Sequence, residues 1–134
     1  MTALVAVWMS DGAEQCCTML DQFGVAHSME LSPTTKVVIA SADRAAEAAS
    51  RTVAPVLAVP MEPSIDALRA ASELPVATLA IGKPGGINAA LLAVAILALD
   101  DDALRAKLLV FRANQTASVL GANLPCDDAA EPRA

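Results

Sequence analysis

This chain is poor in the side chains on which most catalytic and binding sites draw. Its 134 residues include one histidine, His27, and no tyrosine, and aromatic residues make up 2% of the total: Trp8, Phe23 and Phe111. So few rings offer no platform on which successive bases or sugars stack. Nine Lys and Arg stand against fifteen Asp and Glu, for a net charge of −6. The basic residues are scattered singly, whereas phosphate backbones are held by clustered cations, so nucleic acid is not an expected partner. Of the three cysteines, Cys16 and Cys17 are adjacent and Cys126 is remote. Neighbours on a helix diverge by ~100°, so the pair is not a metal-ligand set. With one histidine there is no zinc set, and the odd count is no disulfide framework. Reduced, structural thiols in a cytoplasmic protein are expected. The longest apolar run, Ala89 to Leu99, is about half of the ~20 residues that a membrane span requires, so no membrane partner is expected. No basic segment and long apolar stretch follow Met1, and no secretory signal is expected there.

What is abundant is small and apolar. Hydrophobic residues are 55% of the chain, with a mean hydropathy of +0.50 and alanine prominent among them. The length fits one domain, expected over residues 1–122, with 123–134 as a mobile acidic tail. One small core cannot hide so much apolar surface, and the excess predicts a buried interface between copies.

Short apolar runs alternate with helical stretches. Leu4–Met9 reads as a strand, with Asp11 as a plausible N-cap for a helix over Ala13–Phe23 that Gly24 closes. Val25–Leu31 reads as a second strand and Lys36–Ala40, rich in β-branched residues, as a third. Helix is expected over Asp43–Thr52 and Ser64–Glu73, and strands over Pro55–Pro60 and Val76–Ile81. Strands without polar alternation, joined by helices, predict a parallel sheet covered on both faces. Ser32-Pro33-Thr34-Thr35, between strands two and three, is too short for a crossover helix. Either those strands pair antiparallel or one is misassigned. Gly82-Lys83-Pro84-Gly85-Gly86 reads as a loop; it lacks the leading glycine and the Ser or Thr of a P-loop. Asn88 can cap a helix over Ala89–Leu99, which is apolar all round and needs burial on every side. A last helix over Ala103–Leu120 begins behind Asp100-Asp101-Asp102, with carboxylates at its positive end. It carries an apolar stripe at Leu104, Leu108, Phe111 and Val119, with Arg105, Lys107 and Arg112 facing away. Gly121 reads as its C′ stop.

The string from Pro75 to Leu99, PVATLAIGKPGGINAALLAVAILAL, closely resembles the fifth strand, loop and interface helix of the carboxyaminoimidazole ribonucleotide mutase/AIR carboxylase (PurE) family. The likeness continues through Asp101, Leu104, Lys107-Leu108, Phe111-Arg112, Gln115-Thr116 and Val119-Leu120. Upstream it is thinner but ordered, through Met9, Gly24-Val25, Pro55–Pro60 and Ile65-Asp66-Ala67-Leu68. The resemblance implies a three-layer α/β/α sandwich of flavodoxin-like type, with a mostly parallel five-stranded sheet. It also implies a homo-octamer assembled through the C-terminal helices, Ala89–Leu99 among them, and a reaction that moves a carboxylate on aminoimidazole ribonucleotide without metal or organic cofactor.

The family's chemistry resides in three loops that this chain matches poorly. Of a Gly-Ser-x-Ser-Asp loop after strand one, only Ser10 and Asp11 remain. The Ser-Ala-His-Arg loop after strand two, in which histidine moves a proton and arginine holds phosphate, has two candidate matches. In one, Ser32–Thr35 stands in its place, a helix is missing, and Ser41–Glu47 replaces the Gly-rich segment after strand three. In the other, Ser41-Ala42-Asp43-Arg44 is the loop itself, with Asp43 at the histidine position. Neither puts a histidine at a catalytic position, and His27 falls within strand two. The candidates are therefore Asp11 and Asp43 as acid–base groups, with Glu47 behind them, and Ser10, Asp11, Ser41 and Arg44 as ligand-binding residues. The ligand is a nucleotide or a small carboxylate. The expectation is a family member without the parent mutase activity, serving as an oligomeric ligand-binding, regulatory or structural protein. The alternative is a cofactor-free carboxylase, decarboxylase or mutase with altered catalytic residues.

Overall fold

A computed structural model describes residues 2–123, the side chains of Ala67, Ala70 and Ala71 excepted. The acidic tail expected beyond Asn123, Cys126 included, lies outside the described residues. The elements are β1 (Val5–Trp8), α1 (Ala13–Gln22), β2 (His27–Ser28), β3 (Val37–Ser41), α2 (Ala45–Arg51), β4 (Val56–Val59), α3 (Ile65–Ser72), β5 (Ala77–Thr78), α4 (Lys83–Leu97) and α5 (Asp102–Gly121). They form one parallel sheet in the order β2-β1-β3-β4-β5, a flavodoxin-like α/β fold.

Strand side chains point alternately to the two faces, and here both faces are dry. Val5, Val7, Met9, Val37, Ile39, Leu57 and Val59 pack with α1, α4 and the start of α5, through Cys16, Leu20, Ala90, Val94, Leu104 and Leu108. Ala6, Trp8, Val38, Ala40, Val56 and Ala58 pack with Ala45 and Ala48 of α2. Apolar strands without alternation are what a doubly covered parallel sheet requires.

Neither expectation for strands two and three holds. Both are strands, and they do not pair: each lies parallel to β1, on opposite sides of it. β2 is two residues long and sits level with Val5 and Ala6, so residues 29–36 need to climb almost nothing before re-entering as β3. A short strand removes the need for a crossover helix. Ser41-Ala42-Asp43-Arg44 accordingly ends β3 and begins the turn into α2, so it follows the third strand in chain order and not the second.

Several local expectations are corrected. Gly12, not Asp11, is the N-cap of α1, with φ at 75° and no side-chain capping bond. The Gly82–Gly86 segment is not a loop and Asn88 is not a cap: α4 begins at Lys83, with Gly82 as N-cap and Pro84 in its first turn. That entry suits proline, whose missing N–H would have no partner in a first turn. Gly121 is the last helical residue of α5 rather than a left-handed stop. In α5, Leu104 and Leu108 are buried and Phe111 packs edge-on against Phe23 at 5.3 Å, whereas Val119 is 75% exposed. Lys107 does not simply face away, since its Nζ donates to the Phe23 carbonyl at 3.2 Å. There it meets the negative end of α1. The carboxylates stand at the start of α5 as expected, and one of them, Asp101, is also its N-cap, accepting from the Leu104 N–H at 2.9 Å. Gly24 closes α1 as expected: at φ 69° it lets its own N–H reach Asp21 O and that of Val25 reach Leu20 O, a Schellman closure. Among the described residues no helix is long and apolar enough to cross a membrane.

Candidate functional site

In an open parallel sheet, the strands on either side of a reversal in chain order send their following loops in opposite directions, leaving a crevice at their carboxyl ends. That reversal lies here between β1 and β3. A cavity of about 530 Å³ opens there, lined by Met9, Ser10, Asp11, Met29, Ser41, Ala42, Asp43, Arg44, Met61 and Glu62. Its size is that of a small-ligand pocket. Two hollows of about 620 and 680 Å³ lie at the amino ends of the strands, around Leu4, Val25, Lys36 and Asp100–Asp102 and around Ser32, Lys36 and Val53. Fold topology directs ligands to the opposite end, so the smaller cavity is the candidate.

All the ligand-binding candidates read from the sequence, Ser10, Asp11, Ser41 and Arg44, line this one cavity, and so does Asp43. Ser41 is buried and its hydroxyl donates to the Trp8 carbonyl at 3.4 Å, tying β3 to the end of β1. The Arg44 N–H closes a turn onto the Ser41 carbonyl at 2.9 Å, which brings Asp43 and Arg44 to the rim. Residues not anticipated from the sequence are Met9, Met29, Met61 and Glu62. Met61 and Glu62 directly follow the Pro60 that ends the expected fourth strand, and that position is the signal that identifies them. His27 is elsewhere. It opens β2 in register with Val5, at the amino end of the sheet, and its Nε2 lies 2.9 Å from Asp21 Oδ1. Glu47 does not line the cavity; it stands one helical turn behind Arg44.

The loops that carry the site are held by glycines. At Gly12, a Cβ would lie 3.4 Å from the terminal methyls of both Met9 and Met61 and 3.8 Å from Lys83 Cα. At Gly86 it would lie 3.1 Å from the Gly12 carbonyl oxygen. The loop after β1, the segment after β4 and the start of α4 therefore converge on one point beneath Ser10 and Asp11. The Gly-rich string contributes to the site by close approach of backbone, and none of its residues lines the cavity.

Trp8 is the other support. It is 4% exposed, on the face of β1 away from α1. The Arg44 guanidinium carbon lies 4.7 Å from its ring centroid and that of Arg51 5.2 Å, both within cation–π range. Glu47 lies between the two arginines, 3.8 Å from Arg44 and 3.4 Å from Arg51. Among the described residues no group of three or more His, Cys, Asp or Glu could hold a metal ion.

Fold and cavity thus define a flavodoxin-like α/β protein with a ligand-sized crevice at its topological switch point. The AIR carboxylase family model matches residues 25–118, and the chain belongs to that family. It is 35% identical to the N5-carboxyaminoimidazole ribonucleotide mutase of Vibrio parahaemolyticus over 82% of this chain and 87% of that protein. It is 34% identical to the mutase of Pseudomonas aeruginosa over 90% and 95% respectively. The mutase of Brucella melitensis is 44% identical over 63% of this chain, which there spans only 59% of the relative's length. The alignment with the Vibrio protein runs over 140 positions, of which this chain, at 82% coverage, fills about 110. That relative thus has about 30 positions without a counterpart here. A crystal structure of a point variant of Treponema denticola PurE2 superposes with a TM-score of 0.72 at 19% identity, covering 99% of this chain and 100% of that one, and supports the same fold.

Proposed function

We propose that this chain is a family member that binds a small carboxylate-bearing ligand in the switch-point cavity without carrying out the mutase reaction. One observation carries the reading: the single histidine is at the amino end of the sheet, bonded to Asp21, while the cavity offers only hydroxyls, carboxylates, thioethers and one guanidinium. An imidazole exchanges protons near neutral pH in either direction, and no group in the cavity shares that property at its ordinary pKa.

The protein works as a homo-oligomer through α4 and α5. α4 buries one face in its own core through Ala89, Ala90, Ala93, Val94 and Leu97, yet leaves Leu92 38% exposed, and α5 leaves Leu109 and Val110 exposed at 61% and 60%. These residues supply the apolar surface that a second copy would cover. A cytoplasmic location accords with the free thiols Cys16 and Cys17.

A second reading has two supports. The relatives named above carry the name of a mutase, and Asp11 and Asp43 both reach the cavity. In it, those carboxylates replace the imidazole in a cofactor-free carboxylation, decarboxylation or mutase reaction. Incubation with N5-carboxyaminoimidazole ribonucleotide, followed by NMR, separates the two. Under the first reading the spontaneous decay rate is unchanged by the protein. Turnover that disappears in Asp43→Asn would establish the second and overturn the first.

A further inference from the structure

Resting on the reading of the cavity as a ligand site, we propose that Arg44 is its anion receptor, that Trp8, Glu47 and Arg51 hold that receptor in an exchangeable state, and that the ligand it selects is a monoanionic carboxylate rather than a phosphomonoester. Arg44 lines the cavity and its guanidinium lies over Trp8 at 4.7 Å. A guanidinium held over a ring through cation–π attraction keeps its N–H donors for other partners. Among the described residues its one ionic partner is Glu47, at 3.8 Å, beyond hydrogen-bond length. Glu47 is closer to Arg51, whose Nη1 donates to Oε1 at 3.4 Å, and Arg51 leans on the same ring.

An incoming carboxylate can therefore take Arg44 from Glu47 while Glu47 stays neutralised by Arg51. No charge is orphaned by the exchange, and the guanidinium need not leave the ring. A planar carboxylate matches two parallel N–H donors of the guanidinium. Without Arg51, or without Trp8 to fix the plane, the same arginine would remain locked to Glu47 or wander on a flexible stem.

The choice of carboxylate over phosphate comes from the rest of the lining. Asp11, Asp43 and Glu62 share the cavity with Arg44, so three carboxylates face one guanidinium. A phosphomonoester carries up to two negative charges above its second pKa of about 6, and each added charge meets that field again. The carboxylates are exposed and screened by salt, so the discrimination amounts to several-fold rather than exclusion. Methyl and methylene groups of Met9, Met29 and Met61 provide apolar contact for the body of the ligand.

Trp8 is the chain's one tryptophan and touches the receptor, so its emission reports occupancy. The wild-type protein is titrated at pH 8 and constant ionic strength with imidazole-4-carboxylate and, separately, with ribose 5-phosphate. The proposal expects a saturable change of Trp8 emission, with the carboxylate binding several-fold more tightly. Arg44→Gln should remove the saturable change. Glu47→Gln, which removes the internal competitor on an exposed helix face, should tighten carboxylate binding several-fold. Arg51→Gln, which leaves Glu47 dependent on Arg44, should weaken it. Tighter binding of ribose 5-phosphate, no saturable response to either probe, or weaker binding in Glu47→Gln would each overturn the proposal. The outcomes remain separable from those for the function itself. Turnover of the mutase substrate would sink the proposed function and leave the titration standing, whereas a preference for phosphate would sink the receptor assignment and leave the absence of turnover standing.

Discussion

Replacing Gly85 with alanine is expected to destabilise this protein, although the same change in most helices stabilises. Gly85 lies in the first turn of α4, where alanine would ordinarily gain up to about 1 kcal/mol over glycine from backbone propensity. Here the added Cβ would stand 1.8 Å from the Ala80 carbonyl oxygen, 2.7 Å from its carbon and 3.0 Å from a methyl of Val59. Ordinary contact begins near 3.4 Å, so either the helix or the 79–82 segment must retreat by well over an ångström. That segment is pinned, because the Leu79 N–H donates to Ala58 O at 2.8 Å and that of Gly82 to Pro60 O at 2.7 Å. Retreat of the segment stretches bonds worth ~1 kcal/mol each, and retreat of the helix opens its packing on α1. Overpacking of this kind costs about 1–3 kcal/mol and at times more. Contact with backbone places this case at the upper end, leaving a net loss of about 2 kcal/mol after the propensity gain. At roughly 3–5 °C per kcal/mol for a domain of this size, Tm should fall by ~6–10 °C. Circular dichroism melts at one fixed protein concentration measure it, since oligomerisation makes Tm depend on concentration. Gly121→Ala is the matched control: its Cβ meets nothing within 4 Å and the residue ends α5, so Tm should hold or rise slightly. A rise in Tm for Gly85→Ala would refute the close-approach account of the Gly-rich string.

Asp101→Ala removes the side-chain acceptor of the Leu104 N–H and should cost about 1 kcal/mol in urea denaturation, while Asp101→Asn should recover most of it. Burial pushes the Cys16 thiol up from its ordinary 9.0 to about 12, with Cys17 beside it adding to the rise. Burial and then Asp21 also raise Cys17, which is less covered. A raised thiol pKa favours the folded state below the unfolded value and loses that contribution as pH climbs from about 9 towards 12, so Tm should decline over that window. Peptide mapping after brief iodoacetamide treatment at pH 8 should show Cys17 labelled well before Cys16; equal labelling would contradict the burial. Leu92→Asp places a charge on the exposed apolar side of α4 and should lower the sedimentation coefficient, and an unchanged value would remove α4 from the interface. Leu92 is a cleaner probe than Ile96, which packs against its own core.

The layers were legible because periodicity reports burial directly. Val5–Trp8, Val37–Ser41 and Val56–Val59 are buried at every position and apolar but for the closing Ser41, and only a sheet covered on both faces tolerates that. The ends of elements were less legible, for reasons peculiar to each. Gly85 and Gly86 look like loop residues because glycine is the poorest ordinary helix former, and what keeps them in α4 is the backbone of Ala80 and Gly12 pressing where a Cβ would be. Asp11 looks like a cap, but Gly12 takes the left-handed turn and frees Asp11 for the cavity rim. Ser10, Asp11, Ser41, Asp43 and Arg44 could be picked out from the loops in which they stand, since ends of parallel strands meet at the switch point. Met61 and Glu62 follow the same rule, standing just beyond the carboxyl end of β4. The partnership of Trp8 with Arg44 and Arg51 has no sequence signature, because it spans a strand and the two ends of a helix.

One structural feature links the short β2 to the support of the cavity. In a right-handed doubly wound sheet, the crossover from β2 to β3 passes over β1 on the face away from α1, and that is the face on which Trp8 lies. β2 stops after two residues, and no helix stands between β2 and β3. The bare face of β1 must still be covered, since a large ring there would otherwise meet water. Trp8 fills it, and Arg44 and Arg51, at the two ends of α2, lie over Trp8 with Glu47 between them. The arrangement that seals the gap also delivers Arg44 to the cavity rim.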